Sequence, residues 1–512
     1  MMKIFTAAQI RNWDAYSIEH EPVSSIQLME RAATASCNWL QDHVLDNKIT
    51  KPAAKETVIK IFCGKGNNGG DGLAIARILI SKSYKVFTYI LDTENKSSHD
   101  FDYNLIQLQA TNNHIHFISD KALFPEINDH DLIIDALFGT GLNKPMEGLA
   151  ASLLQHINLF KARVVAIDIP SGMYADKTSV NLLTIKANDT LSFQTYKMAF
   201  LLAENEAATG AVHILNIGLH KAFENKEPAQ YNLTGQAFIK QIYRPRKQFA
   251  HKGNFGHALL LAGSYGKMGA AILVSKACLR SGVGLLTSFV PACGYEILQA
   301  TTPEAMVITA TDIDYSKYTI AGAGPGLGTG EEAVKLITHL LQHHSQLKNQ
   351  SSGEGCSLVL DADALNILAA HPALLKQLPA NTILTPHPKE FERLFGKTNN
   401  DFEQITVALQ KANQYQCYII LKGHHSFIAT PSGKGFFNNT GNAGMATGGS
   451  GDVLTGILTG LAAQGYTTLE TCLLGVYLHG LAGDIAANKF GQEAMLAGDI
   501  TESLGDAFKS LS

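Results

Sequence analysis

The run Gly444-Met-Ala-Thr-Gly-Gly-Ser-Gly-Asp452, followed at once by Val453-Leu-Thr-Gly-Ile-Leu458, constrains this chain more than any other stretch. Glycines here allow a tight turn and let backbone N–H groups approach a ligand with no Cβ in the way. The residues after Asp452 are apolar and small at helical spacing, which predicts a buried helix starting at this point. Unpaired N–H groups and the dipole at such a helix start favour negative charge, so the turn is a candidate phosphate cradle. Asp452 then sits beside the phosphate, where a carboxylate suits removal of a proton from a hydroxyl that attacks phosphorus. The competing reading is an N-capping aspartate on a core helix.

A chain of 512 residues is too long for one ordinary core and long enough for two or more domains. Hydrophobic residues make up 46% and charged residues 17%, and the formal net charge is −4, with no basic excess to suggest nucleic acid or an anionic membrane surface as partner. The start, Met1 to Thr6, lacks the apolar core of a signal peptide, and the long apolar run near Leu473 is broken by His479 and Asp484. Seven cysteines without a CxxC pair read as reduced buried thiols, which points to a cytoplasmic protein. Of the 19 histidines, the pairs His114/His116, His343/His344 and His424/His425 lack partners at zinc-like spacing.

Along the chain, Thr6 to Tyr16 reads as a capped amphipathic helix and Ser25 to about Val44 as a second. Val58–Cys63 is a strand running into Gly64-Lys-Gly-Asn-Asn-Gly-Gly-Asp-Gly72, with a helix expected over Leu73–Ser81. Val86–Leu91, Leu132–Ala136 and Val164–Ile169 are further strands, the last two delivering Asp135 and Asp168 at their carboxyl ends. Strands alternating with helices predict a parallel sheet with helices on both faces and ligands at the carboxyl ends of the strands. The polar stretch Lys221–Gln230 separates this half from a second α/β half, whose expected strands are Leu259–Ala262, Leu285–Val290, Thr319–Ala321, Leu358–Leu360, Thr382–Leu384 and Tyr418–Leu421. Ser345–Gly355 reads as a surface loop.

Gly64, Gly66 and Gly69 satisfy G-x-G-x-x-G between a strand and a helix, with Asp92 ending the next strand, so a nicotinamide dehydrogenase has to be considered. Hydride transfer has no evident use for Asn67, Asn68 and Asp71 in that loop, however. Amide and carboxylate oxygens converging with Asp135 suit a hard monovalent cation better; the bland alternative gives the two asparagines only a turn to serve. Asp135 to Pro145, carrying Lys144, and Asp168-Ile-Pro-Ser-Gly172 add two more polar, glycine-bearing loops on adjacent strand ends.

GKGNNGGDG, DALFGTGLNKP and DIPSG, in that order, resemble the NAD(P)H-hydrate epimerase domain. HKGNFGHALLLAGS, GPGLG, TPHPKE, LKG and GGSGD resemble the NAD(P)H-hydrate dehydratase domain, and both in one chain are similar to the bifunctional nicotinamide nucleotide repair enzymes. The resemblance implies two three-layer α/β/α domains, an N-terminal Rossmann-like epimerase domain over residues 1–225 and a C-terminal ribokinase-like dehydratase domain over 226–512. The substrates it implies are hydrated NADH and NADPH in R and S forms. ADP or ATP is the implied co-substrate, with K+ in the first domain and Mg2+ in the second, and a homo-oligomer is expected.

Carried over residue by residue, the resemblance makes Asn67, Asn68, Gly69, Gly70 and Asp71, with Gly139, Thr140, Gly141, Leu142, Asn143, Lys144 and Pro145, the segments that hold the hydrated nucleotide. Asn68, Asp135 and Ser171 match the potassium ligands, and Asp168 the substrate-contacting acid that transfers the proton. In the second domain Asp452 matches the catalytic base. Ala270, Gly326 and His387 match substrate contacts, and Gly451 with Lys422, Gly423, His424, His425 and Ser426 the nucleotide site. Glu390 resembles the acid that holds magnesium through water. A ribokinase-type small-molecule kinase shares GGSGD, the lysine strand and Glu390 but leaves the N-terminal half unexplained. A non-enzymatic nucleotide-binding module has no use for Asp168 and Asp452.

Overall fold

The computed structural model describes residues 1–46, 57–93, 96–111, 114–348 and 355–512. The chain divides into two compact units. One comprises Lys3–Ala229 with Asn400–Phe402, the other Gln230–Asn399 and Glu403–Ser512 with Met1–Met2.

In the first unit, seven strands form one sheet: β1 (Val58–Cys63), β2 (Lys85–Leu91), β3 (His114–Ile118), β4 (Leu132–Ala136), β5 (Arg163–Ile167), β6 (Asp189–Phe193) and β7 (Ala211–Leu215). Their spatial order is β3-β2-β1-β4-β5-β6-β7, all pairs parallel, so the order reverses between β1 and β4. This is the doubly wound α/β arrangement, and such a reversal opens a crevice at the carboxyl ends of the two strands. Alternate residues of β1 go to opposite cores. Ile59, Ile61 and Cys63 pack with residues of the helices Ser25–Leu40 and Asn67–Ser81, while Phe62 packs with Leu153, Leu154 and Ile157 of the helix Gly148–Asn158.

The cap expected at Thr6 takes the form of a capping box with Gln9, and the first helix runs Ala7–His20. The second helix ends at Leu40 and continues as a π turn over Gln41–Leu45. One expectation shifts. The helix after β1 begins at Asn67 rather than Leu73, so Asn67 to Asp71 form its first turns. The glycines that suggest a loop instead let the helix press on its surroundings: a Cβ on Gly69 would lie 1.7 Å from the Gly64 carbonyl, and one on Gly72 would lie 2.6 Å from Ala136 Cβ. Close packing thus overrides glycine's poor helix propensity. The Lys221–Gln230 stretch, where the two units divide at Ala229 and Gln230, is itself structured. Lys221–Lys226 is a helix whose Phe223 stacks on Trp13 at 5.8 Å.

The second unit contributes β8 (Tyr231–Leu233), β9 (His257–Leu261), β10 (Leu285–Phe289), β11 (Met306–Ile308), β12 (Ile320–Ala323), β13 (Leu358–Leu360), β14 (Ile383–Leu384), β15 (Tyr418–Leu421), β16 (Phe427–Ala429) and β17 (Gly435–Phe437). Their order is β8-β17-β16-β15-β14-β13-β12-β9-β10-β11. From β15 to β11 every pair is parallel, and β15, β16 and β17 pair antiparallel. Ala258, Leu260, Val359 and Ile420 join one large core with the helices Met268–Arg280, Ser450–Ala463, Thr468–Phe490 and Ala497–Lys509. Leu259, Leu261, Leu358 and Leu360 are equally buried. Within the expected 345–355 loop, His344–Gln346 make a 3₁₀ turn and Leu347 is buried; 349–354 lie outside the described residues.

Candidate active sites

In the first unit the loops after β1, β4 and β5 meet at the crevice between β1 and β4. Asp135, on β4, is fully buried. Its Oδ1 accepts hydrogen bonds from Ser171 Oγ at 2.6 Å and the Leu137 amide at 3.2 Å, and its Oδ2 accepts the Ser171 amide at 2.8 Å. Burial pushes its carboxyl up to about 6 against these bonds, with no cationic side chain among the described residues to offset it. Asn68 is 8% exposed, yet neither its Oδ1 nor its Nδ2 has a hydrogen-bond partner among the described residues. A buried amide left unpaired in this way is costly unless a ligand completes it.

Asp168 follows β5 with φ +67°, and Ile169 N–H bonds back to the Ile167 carbonyl at 2.8 Å across it. Its Oδ1 pairs with Lys197 Nζ at 2.7 Å, and its Oδ2 accepts the Thr140 amide at 3.3 Å. Asp168 Oδ2 and Asn68 Cγ both lie against Gly139, 3.2 and 3.4 Å from where a Cβ would stand. Burial, with the charges of Asp168, Asp14 and Asp100, pushes Asp71 well above the ordinary carboxylate range. Burial and Asp168 push Asp14, on the first helix, up to about 7. Asn67, Asn143, Lys144 and Pro145 are exposed on the rim, and Lys177 Nζ donates to the Asn143 carbonyl at 3.1 Å.

In the second unit the site lies along the carboxyl ends of β12 to β15. Asp361, just past β13, is fully buried; its Oδ1 accepts from Lys422 Nζ at 2.8 Å and its Oδ2 from Thr455 Oγ1 at 2.7 Å. Lys422 Nζ also stands 3.7 Å from Glu390 Oε2. Burial opposes the charge on Lys422, but Asp361 and Glu390 outweigh it and hold the ammonium above its ordinary value. The helix Ser450–Ala463 starts at Gly449, whose φ of +94° needs glycine and which offers no side-chain cap. A Cβ on Gly451 would stand 3.3 Å from Lys422 Nζ, so the ammonium closes one side of the uncapped helix start. Asp452 is in that first turn; burial and then Asp361 push it up to about 6, with Lys422 opposing.

His387 caps the helix Pro388–Phe395. Its Nδ1 accepts the amides of Lys389 and Glu390 at 3.1 and 3.4 Å, and its Nε2 stands 3.4 Å from Glu390 Oε1. Burial, opposed by Glu390, lowers its pKa. Gly326 and Ala270 adjoin, with Ala270 Cβ 2.9 Å from where a Cβ on Gly326 would be. The Gly423–Ser426 turn closes on itself through Ser426 Oγ, which donates to the Gly423 carbonyl at 3.1 Å. His424 is exposed, while His425 Nδ1 lies 3.2 Å from the Asn438 carbonyl and burial lowers it to about 4. His479 Nε2 lies 3.0 Å from the Ser450 carbonyl beneath the cradle.

Asp14, Lys197, Asp361 and Thr455 stand in these clusters with no role in the sequence reading. Asp361 was detectable, since it follows the expected strand Leu358–Leu360 as Asp135 ends its own. Lys197 follows β6, a strand that the reading lacks, and nothing local marks Asp14.

Two parallel-sheet units, each gathering acids and glycine turns at the carboxyl ends of its strands, define a two-site α/β enzyme. Two family models match the chain, one described as the YjeF-related protein N-terminus over residues 25–199 and one as NAD(P)H-hydrate dehydratase over 258–505. The bifunctional NAD(P)H-hydrate repair enzyme of Moorella thermoacetica is 32% identical over 536 residues, covering 100% of this chain and 97% of that one. The enzyme of the same name from Coxiella burnetii is 32% identical over 510 residues, covering 98% of each. Among solved structures, the ADP/ATP-dependent NAD(P)H-hydrate dehydratase from Bacillus subtilis, co-crystallised with ATP/Mg2+, is 30% identical and covers 55% of this chain and 99% of that one, with a TM-score of 0.49. The chain belongs to the family of bifunctional NAD(P)H-hydrate repair enzymes.

Proposed function

We propose that this protein repairs hydrated nicotinamide nucleotides at two sites. Residues 1–225 interconvert the R and S forms of hydrated NADH and NADPH. Residues 226–512 dehydrate the S form to NADH or NADPH at the expense of ADP or ATP, giving AMP or ADP and phosphate. The observation that carries this reading is the pairing of Asp452 with an uncapped helix start beside the Lys422 ammonium.

Hydroxide is a poor leaving group and phosphate a good one. Asp452 takes the proton of the ring hydroxyl as the hydroxyl oxygen attacks the terminal phosphorus and displaces AMP or ADP; the phosphate ester formed then loses inorganic phosphate together with a proton from the neighbouring ring carbon, which restores the ring double bond. Lys422 and the first-turn N–H groups offset the charge of the moving phosphoryl group, while Asp361, itself held by Thr455, fixes the lysine. Gly451 and the Lys422–Ser426 turn receive the nucleotide, and Ala270, Gly326 and His387 the hydrated ring. Glu390, an oxygen donor beside Lys422, suits Mg2+ held through water, which when bound shields the phosphate charges.

In the epimerase site Asp168 transfers the proton, and the segments Asn67–Asp71 and Gly139–Pro145 hold the nucleotide. The donor chemistry fits K+: the unpaired amide oxygen of Asn68 and the uncompensated buried carboxylate of Asp135 beside Ser171 Oγ form an all-oxygen, net-negative set. A bound K+ supplies positive charge there and ties the three loops together.

We read the protein as a cytoplasmic homo-oligomer. Every cysteine except Cys293 is a buried free thiol, and no described helix is long and apolar enough to cross a membrane. Phe249 and Tyr265 stand exposed. The test is incubation of the full chain with hydrated NADH, ADP or ATP, Mg2+ and K+. Recovery of NADH absorbance supports the reading, whereas label transferred from nucleotide to an added sugar or vitamin alcohol would favour the kinase.

A further inference from the structure

Two neighbouring strands of the first unit end in the same rare way. Beyond β5, Asp168 has φ +67° and is bridged by the 2.8 Å bond from Ile169 N–H to the Ile167 carbonyl. Beyond β6, Gln194 has φ +64° and is bridged by a 2.7 Å bond from Thr195 N–H to the Phe193 carbonyl. Both are γ-turns with positive φ at a non-glycine residue, a strained form that persists only where its surroundings hold it. Gln194 is held: its Oε1 accepts the Ile217 amide at 3.1 Å and the Leu219 amide at 3.4 Å, and its own N–H bonds to the Leu215 carbonyl at 2.8 Å.

The second turn reverses the chain so that Lys197 comes back over the end of β6. Its side chain is 1% exposed, and Nζ donates to Ser192 Oγ at 2.5 Å and to Asp168 Oδ1 at 2.7 Å. One oxygen of Asp168 is thereby committed. The other faces the Thr140 amide and the Gly139 surface shared with Asn68, the buried amide that no described residue completes.

We propose that Lys197 is the positioning residue of the epimerase site: anchored on Ser192 by the paired γ-turns, it fixes Asp168 through Oδ1 so that Oδ2 alone is presented to the hydrated ring. The inference rests on the reading of Asp168 as the proton-transfer group. Nζ acts through Asp168 and does not touch the substrate. Removing it frees the carboxylate to rotate, which spoils the reacting geometry more than it weakens nucleotide binding.

The test uses the full chain with R- and S-hydrated NADH, following their interconversion by chromatography over a range of concentrations, with dehydratase turnover as the measure of enzyme present and a thermal melt of each preparation against wild type as the check that the first unit is folded. Lys197→Met is expected to lower kcat of epimerisation by about 10²-fold, with KM changed by less than about threefold. Ser192→Ala, which removes only the anchor and leaves the ion pair with Asp168, should lower kcat several-fold in the same pattern. A Lys197→Met enzyme with wild-type kcat, or one whose KM rises in step with its loss, overturns the inference while leaving Asp168 in place, provided Asp168→Asn is inactive. An active Asp168→Asn enzyme overturns the reading of Asp168 and the inference with it.

Discussion

Asp452 illustrates how a single side chain links fold to rate. Burial first, and then Asp361, raise it from 3.8 to about 6, so its proton-accepting form is lost on acidification below that point. Dehydration kcat/KM is therefore expected to climb as pH rises through about 6 and then level, and initial rates from pH 5 to 8 check this. The same shift has a stability sign. The folded state keeps a proton that the unfolded chain releases, so stability falls as pH rises from about 4 to about 6, and Asp452→Asn is expected to melt higher than wild type at pH 8. That variant should lose dehydration by about 10²-fold or more while keeping epimerisation. Asp168→Asn should do the opposite, and loss of both activities in either variant would argue against separate sites. These two acids were legible because each follows a strand or a glycine turn in the chain. Lys197 and Asp14 were not, since only a missed strand and a distant helix bring them to their sites.

At the scale of elements, glycine carried opposite meanings that local sequence does not separate. In the helix Ser450–Ala463, a Cβ on Gly456 would stand 2.4 Å from the Val274 carbonyl and 2.7 Å from Ala277 Cβ, so glycine here is what allows the helix to lie directly on Met268–Arg280. Gly505, in the helix Ala497–Lys509, has nothing within 4 Å of the same position and is exposed. Gly456→Ala is therefore expected to destabilise by about 1–3 kcal/mol through overpacking. Gly505→Ala should stabilise by roughly 0.5–1 kcal/mol through helix propensity alone. Thermal or denaturant melts of the two variants check the pair, and equal shifts in one direction would contradict the packing account. The buried central strands read well because they are continuous apolar runs. The strands β3, β6 and β7 were missed because histidines or hydroxyl residues interrupt theirs, and the three-residue strands β8, β11, β16 and β17 were missed as well.

Across the whole molecule, alternation of strand and helix was enough to foresee two parallel-sheet units, since the crossover rule leaves few other ways to join such strands. It did not foresee the sheet order, which depends on long-range pairing that no local segment specifies. What the two units have in common is a buried negative charge at the strand ends, and the chemistry beside it differs. Asp135 and Asn68 offer oxygen ligands with no cationic side chain beside them among the described residues; Asp361 and Asp452 already have Lys422 among them. The two activities should therefore respond to different ions. Exchanging K+ for tetramethylammonium, too large and too weakly coordinating for an all-oxygen pocket, is expected to slow epimerisation severalfold and leave dehydration of pre-formed S substrate unchanged. Chelating divalent cations should stop dehydration, whose phosphoryl transfer needs the charge neutralised, and leave epimerisation unchanged. The K+ effect should vanish in Asp135→Asn, because removing the buried carboxylate removes both the need for the cation and its strongest ligand. If Asp135→Asn retained the wild-type response to K+, the cation would have to act elsewhere, and the unpaired amide of Asn68 would need another ligand to complete it.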